Sequence, residues 1–160
     1  MVPYQKVFVE LQQRNIRYLV AGGFAVNFHQ VQRATVDLDL IVHLEKPNVL
    51  EFVKLMNELG FVPRIPVKAE QFADPIERAR WIDEKGLMVF SLMNSQHSFE
   101  TIDVFVQEPS PFEELYQRRL EVKAFGSVIH VIGKEDLIQM KRIAGRDKDL
   151  FDIQQLEKKK

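Results

Sequence analysis

A chain of 160 residues with 22 Lys and Arg against 23 Asp and Glu carries a net charge of −1, which argues against the basic coat of a general nucleic-acid binder. There is no cysteine, so disulfides and thiolate metal sites are excluded, and no apolar run reaches the ~18 residues of a membrane span. The start, MVPYQKVFVELQQ, is amphipathic and lacks the apolar stretch of a signal peptide. A single cytoplasmic domain over 1–160, with its core at about 16–156, is therefore expected.

In chain order, Val2 to Gln13 predicts a helix with Tyr4, Val7, Phe8 and Leu11 on one face and Pro3 in its first turn; Asn15 ends it. Ile16 to Ala21 predicts a strand, Gly22-Gly23 a turn, and Phe24 to about Gln30 a helix. Ala34 to Val42 predicts a second strand. Lys46-Pro47-Asn48 opens a helix carrying Val49, Phe52, Val53, Met56 and Leu59, stopped by Gly60. Phe61 to Pro66 is extended, and Asp74-Pro75 caps and starts another helix. Leu87 to Met93 and Glu100 to Val106 predict a hairpin about Asn94 to Ser98. A helix over 109–118 follows, then a second hairpin around Gly126. Glu135 to Ala144 and Asp147 to Leu156 predict two closing helices separated by Gly145. Hairpins mixed with helices predict an α+β fold, a mixed sheet covered by helices. Trp81 and the twelve phenylalanines are expected in its core.

The anomaly lies in 37–42, DLDLIV, where two carboxylates interrupt a run that otherwise wants burial. On a strand Asp37 and Asp39 point to one face, about 7 Å apart, and Leu38, Leu40 and Val42 to the other. Two readings stay open: a solvated edge strand, or acids that share a hard cation such as Mg²⁺ or Mn²⁺. Asp103, in IDVFV (102–106), is a third charge in an apolar run, either salt-bridged, outward-facing or functional. If its strand neighbours that of Asp39, three acids meet and can hold two ions about 4 Å apart, of which one helps deprotonate an attacking hydroxyl and the other binds a triphosphate and its leaving pyrophosphate.

Gly22 and Gly23 permit close backbone approach to a phosphate, or simply make a strand-to-helix turn. Arg33 is a phosphate contact, a partner for an aspartate, or a plain surface residue. Lys141 either reaches a cleft toward phosphate or keeps its head in water. Arg146, Asp149 and Asp152 are expected to pair locally, and Lys158 to Lys160 to be a solvated end. The four histidines show no zinc spacing, and the Walker, dinucleotide and GxSxG patterns are absent.

The ordered set Gly22-Gly23, Arg33-x-Thr35-x-Asp37-x-Asp39 and Asp103 resembles the DNA polymerase β-like nucleotidyltransferase superfamily. The stretch KEDLIQMKRIAGRDKDLFDI (134–153) is similar to the C-terminal signature of a small bacterial and archaeal branch related to AbiEii-type toxins. The resemblance implies Asp37, Asp39 and Asp103 as metal ligands and catalytic acids, with Asp103 as base toward the acceptor. It implies Gly22, Gly23, Arg33, Thr35 and Lys141 as nucleotide-binding residues. It further implies transfer of a nucleoside monophosphate from an NTP, with release of pyrophosphate and a need for Mg²⁺ or Mn²⁺. The chain ends soon after the core, without the long helical domain of larger relatives, which leaves open whether the acceptor is a protein, a small molecule or an RNA end. Two alternatives accompany it: a nucleotide-binding or regulatory module without catalysis, and a toxin acting on tRNA that is neutralised by an antitoxin partner.

Overall fold

Among the described residues, seven strands form one mixed sheet in the order β3 (Phe61–Pro63), β4 (Val89–Asn94), β5 (Thr101–Phe105), β2 (Leu38–Val42), β1 (Tyr18–Ala21), β7 (Ser127–Val131), β6 (Leu120–Ala124), flanked by seven α-helices, an α+β architecture as expected. The structure is a computed structural model that describes residues 4–159, so the helical reading of Val2 and Pro3 and the end of the lysine tail lie outside the described residues. None of the described helices is long and apolar enough to cross a membrane.

The first half builds the sheet's middle. Helix α1 (Gln5–Gln13) buries Val7, Phe8 and Leu11 and is followed by Asn15 in a left-handed conformation. Strand β1 (Tyr18–Ala21) is buried at every position, and α2 (Gly22–Phe28) begins at Gly22 itself, two residues before the predicted start. Strand β2 (Leu38–Val42) pairs antiparallel with β1, Ala21 opposite Asp39. Helix α3 (Lys46–Glu58) places Pro47 in its first turn and buries Val49, Phe52, Val53, Leu55 and Met56.

The predicted second strand is too long. Residues 31–36 are irregular, and Asp37 stands one position ahead of β2. Side chains and not a ladder hold this segment: the Asn27 side-chain oxygen Oδ1 accepts from the Arg33 backbone amide at 2.8 Å, and the Tyr4 hydroxyl donates to the Val36 carbonyl at 2.8 Å.

The second half extends the sheet on both sides. Strand β3 (Phe61–Pro63) leads through a 3₁₀ turn (Ala69–Ala73) into α4 (Pro75–Lys85), whose amide at Ile76 donates to the Asp74 carboxylate. The hairpin of β4 (Val89–Asn94) and β5 (Thr101–Phe105) joins β2 through a parallel β5–β2 pairing. After α5 (Phe112–Gln117), β6 (Leu120–Ala124) and β7 (Ser127–Val131) turn tightly through Phe125 and Gly126, both at positive φ, the combination a two-residue hairpin turn requires. Strand β7 then pairs parallel with β1. Helices α6 (Lys134–Ala144) and α7 (Asp147–Lys158) close the chain around Gly145.

Register sorts the faces of β4, β5 and β2. Phe90, Val104 and Leu40 are mutually aligned, and Phe90 lies between Phe72 and Trp81, with ring centroids 5.0 and 5.2 Å away. That face is sealed core. The alternate positions, Ser91, Met93, Asp103, Phe105 and Asp39, are only half-buried, so the sheet is open to solvent there.

Candidate active site

Two of the three expected acids are placed together by strand register alone. Asp39 on β2 is directly opposite Asp103 on the parallel strand β5, and Ala21 at the end of β1 is opposite Asp39 from the other side. Partners in register share a face, so both carboxylates project from the open face of the sheet's centre. On the far side of Asp103, Ser91 of β4 is in register with it, and its hydroxyl donates to the Asp103 carboxylate at 2.6 Å. Asp37 is exposed, at the mouth of this pair.

The glycines have a steric reason that is legible only in three dimensions. A Cβ on Gly22, whose φ is +61°, would lie 2.0 Å from a carboxylate oxygen of Asp39. A Cβ on Gly23 would lie 2.6 Å from the Thr35 hydroxyl. The glycine pair therefore lets Asp39 and Thr35 lie directly on the backbone where β1 passes into α2. Neither position has room for a side chain, and Gly22 also needs its left-handed backbone.

The electrostatics are those of acids that, among the described residues, no basic side chain contacts directly. Burial, and then the neighbouring Asp103 and Asp37, push the Asp39 carboxyl up to about 7, against the opposing pull of Lys141 and Arg146. Burial also raises Asp103; the Ser91 hydrogen bond and Arg64 act against this, and Asp37 adds to it. Each such shift measures the free energy of keeping the charged form there.

Lys141 does not keep its head in water. It is buried, with its ammonium 3.0 Å from Asp152 and 3.5 Å from Asp149. Arg33 joins the same cluster, its Nε donating to both Asp152 oxygens at 3.0 Å, and Arg146 pairs with Asp149 at 2.7 Å. The Arg146–Asp149 pair is local, as expected; Asp152 instead pairs with Lys141 and with the distant Arg33, which corrects the expectation for that acid. Asp152 ties the loop before β2 to α6 and α7. Sequence reasoning passed over this role, although Asp149, Asp152, Ile153 and Leu156 share the i, i+3, i+4, i+7 stripe that marks an inward helix face. Ser91 was also missed: counting back from a 94–98 loop sets it opposite Thr101, and only the observed register, with Met93 opposite Thr101, sets it opposite Asp103.

Among the described residues, no three His, Asp or Glu side chains are gathered closely enough to hold a metal ion as they stand. The chemistry of the donors nonetheless fits a hard divalent cation. They are all carboxylate oxygens, and the raised Asp39 reflects burial and a repulsion that a cation would remove. Asp39 and Asp103 would hold it, with Asp37 as the nearest further acid.

Comparison with known proteins places the fold. No protein-family model and no curated protein sequence matches the chain. Solved structures do. The lincosamide antibiotic adenylyltransferase LnuA, in its lincomycin-bound form, superposes with a TM-score of 0.65 at 13% identity, over 100% of this chain and 99% of that one. The antibiotic-resistance factor ANT(2'')-Ia gives 0.59 at 15% identity, over 94% of this chain and 78% of its own. An antigenic nucleotidyltransferase-like protein from Paracoccidioides brasiliensis gives 0.57 at 15% identity, over 95% of this chain and 72% of its own. At such identities the likeness is one of fold, and the fold is that of nucleotidyltransferases.

Proposed function

We propose that the protein is a Mg²⁺- or Mn²⁺-dependent nucleotidyltransferase that moves a nucleoside monophosphate from an NTP to a hydroxyl group and releases pyrophosphate. The observation that carries this is the register of Asp39 with Asp103 on an open sheet face, with Asp37 beside them and, among the described residues, no basic side chain in contact with them. Acidity uncompensated from within suits a site whose counter-charge arrives with the substrate. When bound, the metal supplies charge stabilisation to the phosphates and to the leaving pyrophosphate.

The side chains divide the remaining work. Gly22 and Gly23 let Asp39 and Thr35 lie against the backbone where β1 passes into α2, and so set the acid beside the turn to which the nucleotide's phosphates bind. Thr35 borders the same turn. Arg33 and Lys141 contribute positive potential near the phosphates while anchored by Asp152. Asp103 takes the acceptor's proton as the acceptor oxygen bonds to the α-phosphorus and the bond to pyrophosphate breaks. Its proton affinity, raised by burial, suits a general base. The acceptor lies along the half-buried face of β4 and β5, beside Ser91, Met93 and Phe105.

A small hydroxylated molecule is the favoured acceptor class, because the chain matches LnuA over essentially the whole length of both. The test is transfer of labelled nucleotide from each NTP in the presence of Mg²⁺, with lincosamides, aminoglycosides, the protein itself and tRNA offered in turn. Transfer that is lost in Asp37→Ala/Asp39→Ala supports the assignment; equal transfer by the variant rejects it. Metal-dependent NTP binding without turnover on any acceptor would favour a regulatory module. Growth arrest on expression, lost in Asp39→Ala, would favour a tRNA-directed toxin with an antitoxin partner.

A further inference from the structure

The tyrosine that begins α1 occupies an unusual place. Tyr4 caps the helix with φ 65°, a left-handed backbone that a bulky residue adopts only under constraint. Its ring is buried and packs edge-on against Phe24, centroids 5.6 Å apart. Its hydroxyl accepts from the Thr101 amide at 3.0 Å and donates to the Val36 carbonyl at 2.8 Å, with the Thr101 carbonyl a further 3.1 Å acceptor.

These partners are the next rung of the ladder between the two acid-bearing strands. Leu38 is opposite Ile102 in the parallel pairing, so one step back would set Asp37 opposite Thr101. In a parallel ladder the Thr101 amide would then donate straight to the Val36 carbonyl. The Tyr4 hydroxyl is inserted between those two groups and relays the bond. It satisfies both while holding the chains apart by the width of one oxygen. This accounts for β2 beginning at Leu38, with Asp37 outside the sheet.

We propose that Tyr4 is a positioning residue for Asp37: its hydroxyl keeps the β2–β5 ladder from closing over Val36, and so holds Asp37 at the mouth of the Asp39–Asp103 pair, free to join the cation those two acids hold. The inference rests on the metal-dependent reading of the site. Nothing in the arrangement requires Tyr4 to touch substrate; it acts through the Val36 carbonyl, adjacent to Asp37. The ring's packing and the hydroxyl's relay are separable, because Tyr4→Phe retains the first and removes the second.

The experiment is a Mn²⁺ titration of the metal-free protein at pH 8, read by calorimetry and by water-proton relaxation, on wild type, Tyr4→Phe, Asp37→Asn and the double variant. Tyr4→Phe is expected to bind Mn²⁺ about tenfold more weakly, the size usual for removing a group that orients a metal ligand. Its far-UV circular dichroism should be unchanged, and exchange of the Thr101 amide should be altered. In the Asp37→Asn background the same change should have no further effect, which a merely structural role would not produce. Replacing Tyr4 with 4-aminophenylalanine, which again donates and accepts, should restore binding. If Tyr4→Phe does not fold, 4-fluorophenylalanine at that position fills the space without a proton to donate. Equal Mn²⁺ affinity of wild type and the hydroxyl-free variant overturns the proposal and leaves the nucleotidyltransferase reading standing, as does a tenfold loss that persists in Asp37→Asn. Absence of Mn²⁺ binding by wild type, with and without NTP, overturns both.

Discussion

Two groups of carboxylates lie near each other at the centre of this protein, and they are treated in opposite ways. Asp149 and Asp152 on α7 are each 1% exposed, yet Arg33, Lys141 and Arg146 surround them. Burial alone would raise Asp149, but its hydrogen bonds from Arg146 and the nearby charge of Lys141 hold it below the ordinary carboxylate range. Asp39 and Asp103 are less deeply buried, share a face, and have no basic side chain bonded to them; both are pushed up. A buried charge that is neutralised from within belongs to the framework, and its loss strands its partners. A buried charge left without a partner is a standing destabilisation, and a protein that retains one holds it for something that binds.

The difference can be broken from either side, and the largest effect falls on the unpartnered acids. Asp39→Ala should lower nucleotide transfer by at least about a thousandfold, roughly 4 kcal/mol of transition-state stabilisation, without lowering thermal stability. The same substitution in the partnered group should do the reverse. Asp152→Ala leaves Lys141 and Arg33 facing a hole, and should destabilise the fold by about 3–5 kcal/mol in urea denaturation. If Asp152→Ala were as stable as wild type, the network would not be the framework element described above.

Next in size is the pH dependence of the metal-free protein. The Asp39 carboxyl titrates near 7 in the folded state against 3.8 ordinarily, so between those values the folded chain binds a proton that the unfolded chain does not. Its contribution to stability is thus fully present below about pH 4 and is lost as pH rises through 7. Asp39→Asn should leave stability near pH 4 unchanged and raise it at pH 8 by about 2–3 kcal/mol, less than the ~4 of the whole shift because the face is open to solvent. Saturating Mg²⁺ should remove the advantage, since wild type then gains a counter-charge that the amide variant cannot use. Chemical denaturation at pH 4, 6 and 8, with and without Mg²⁺, checks both statements.

The sequence exposed the unpartnered group more clearly than the partnered one, for a physical reason. Asp37, Asp39 and Asp103 contradict the strand pattern around them, and a charge in an apolar run is visible in one dimension. Asp149 and Asp152 sit at and just beyond the end of a charged segment, GRDKD (145–149), where two more acids contradict nothing; only their place on the inward stripe of α7 distinguishes them. The strands, helices and both hairpins were legible because period and turn chemistry agree locally. The start of β2 was not, since it depends on the hydroxyl of Tyr4, more than thirty positions upstream and on another element. The glycine pair was legible as a turn. That Gly22 must clear the Asp39 carboxylate depends on β1–β2 register, which no local pattern encodes.

The smallest predicted effect falls on Ser91. Its hydroxyl donates to Asp103 and is what moderates the upward push of burial on that acid. In Ser91→Ala the carboxylate loses this donor and holds its proton to a higher pH. Transfer should therefore fall severalfold on the acid side of the pH–rate profile, equivalent to about 1 kcal/mol, and recover toward wild type on its alkaline side. The acid limb of the pH–rate profile should move upward by the same amount, with little change in KM for the NTP. A uniform loss at every pH would mean that Ser91 touches the acceptor itself, and an unmoved acid limb would mean that the proton is taken by a group other than Asp103.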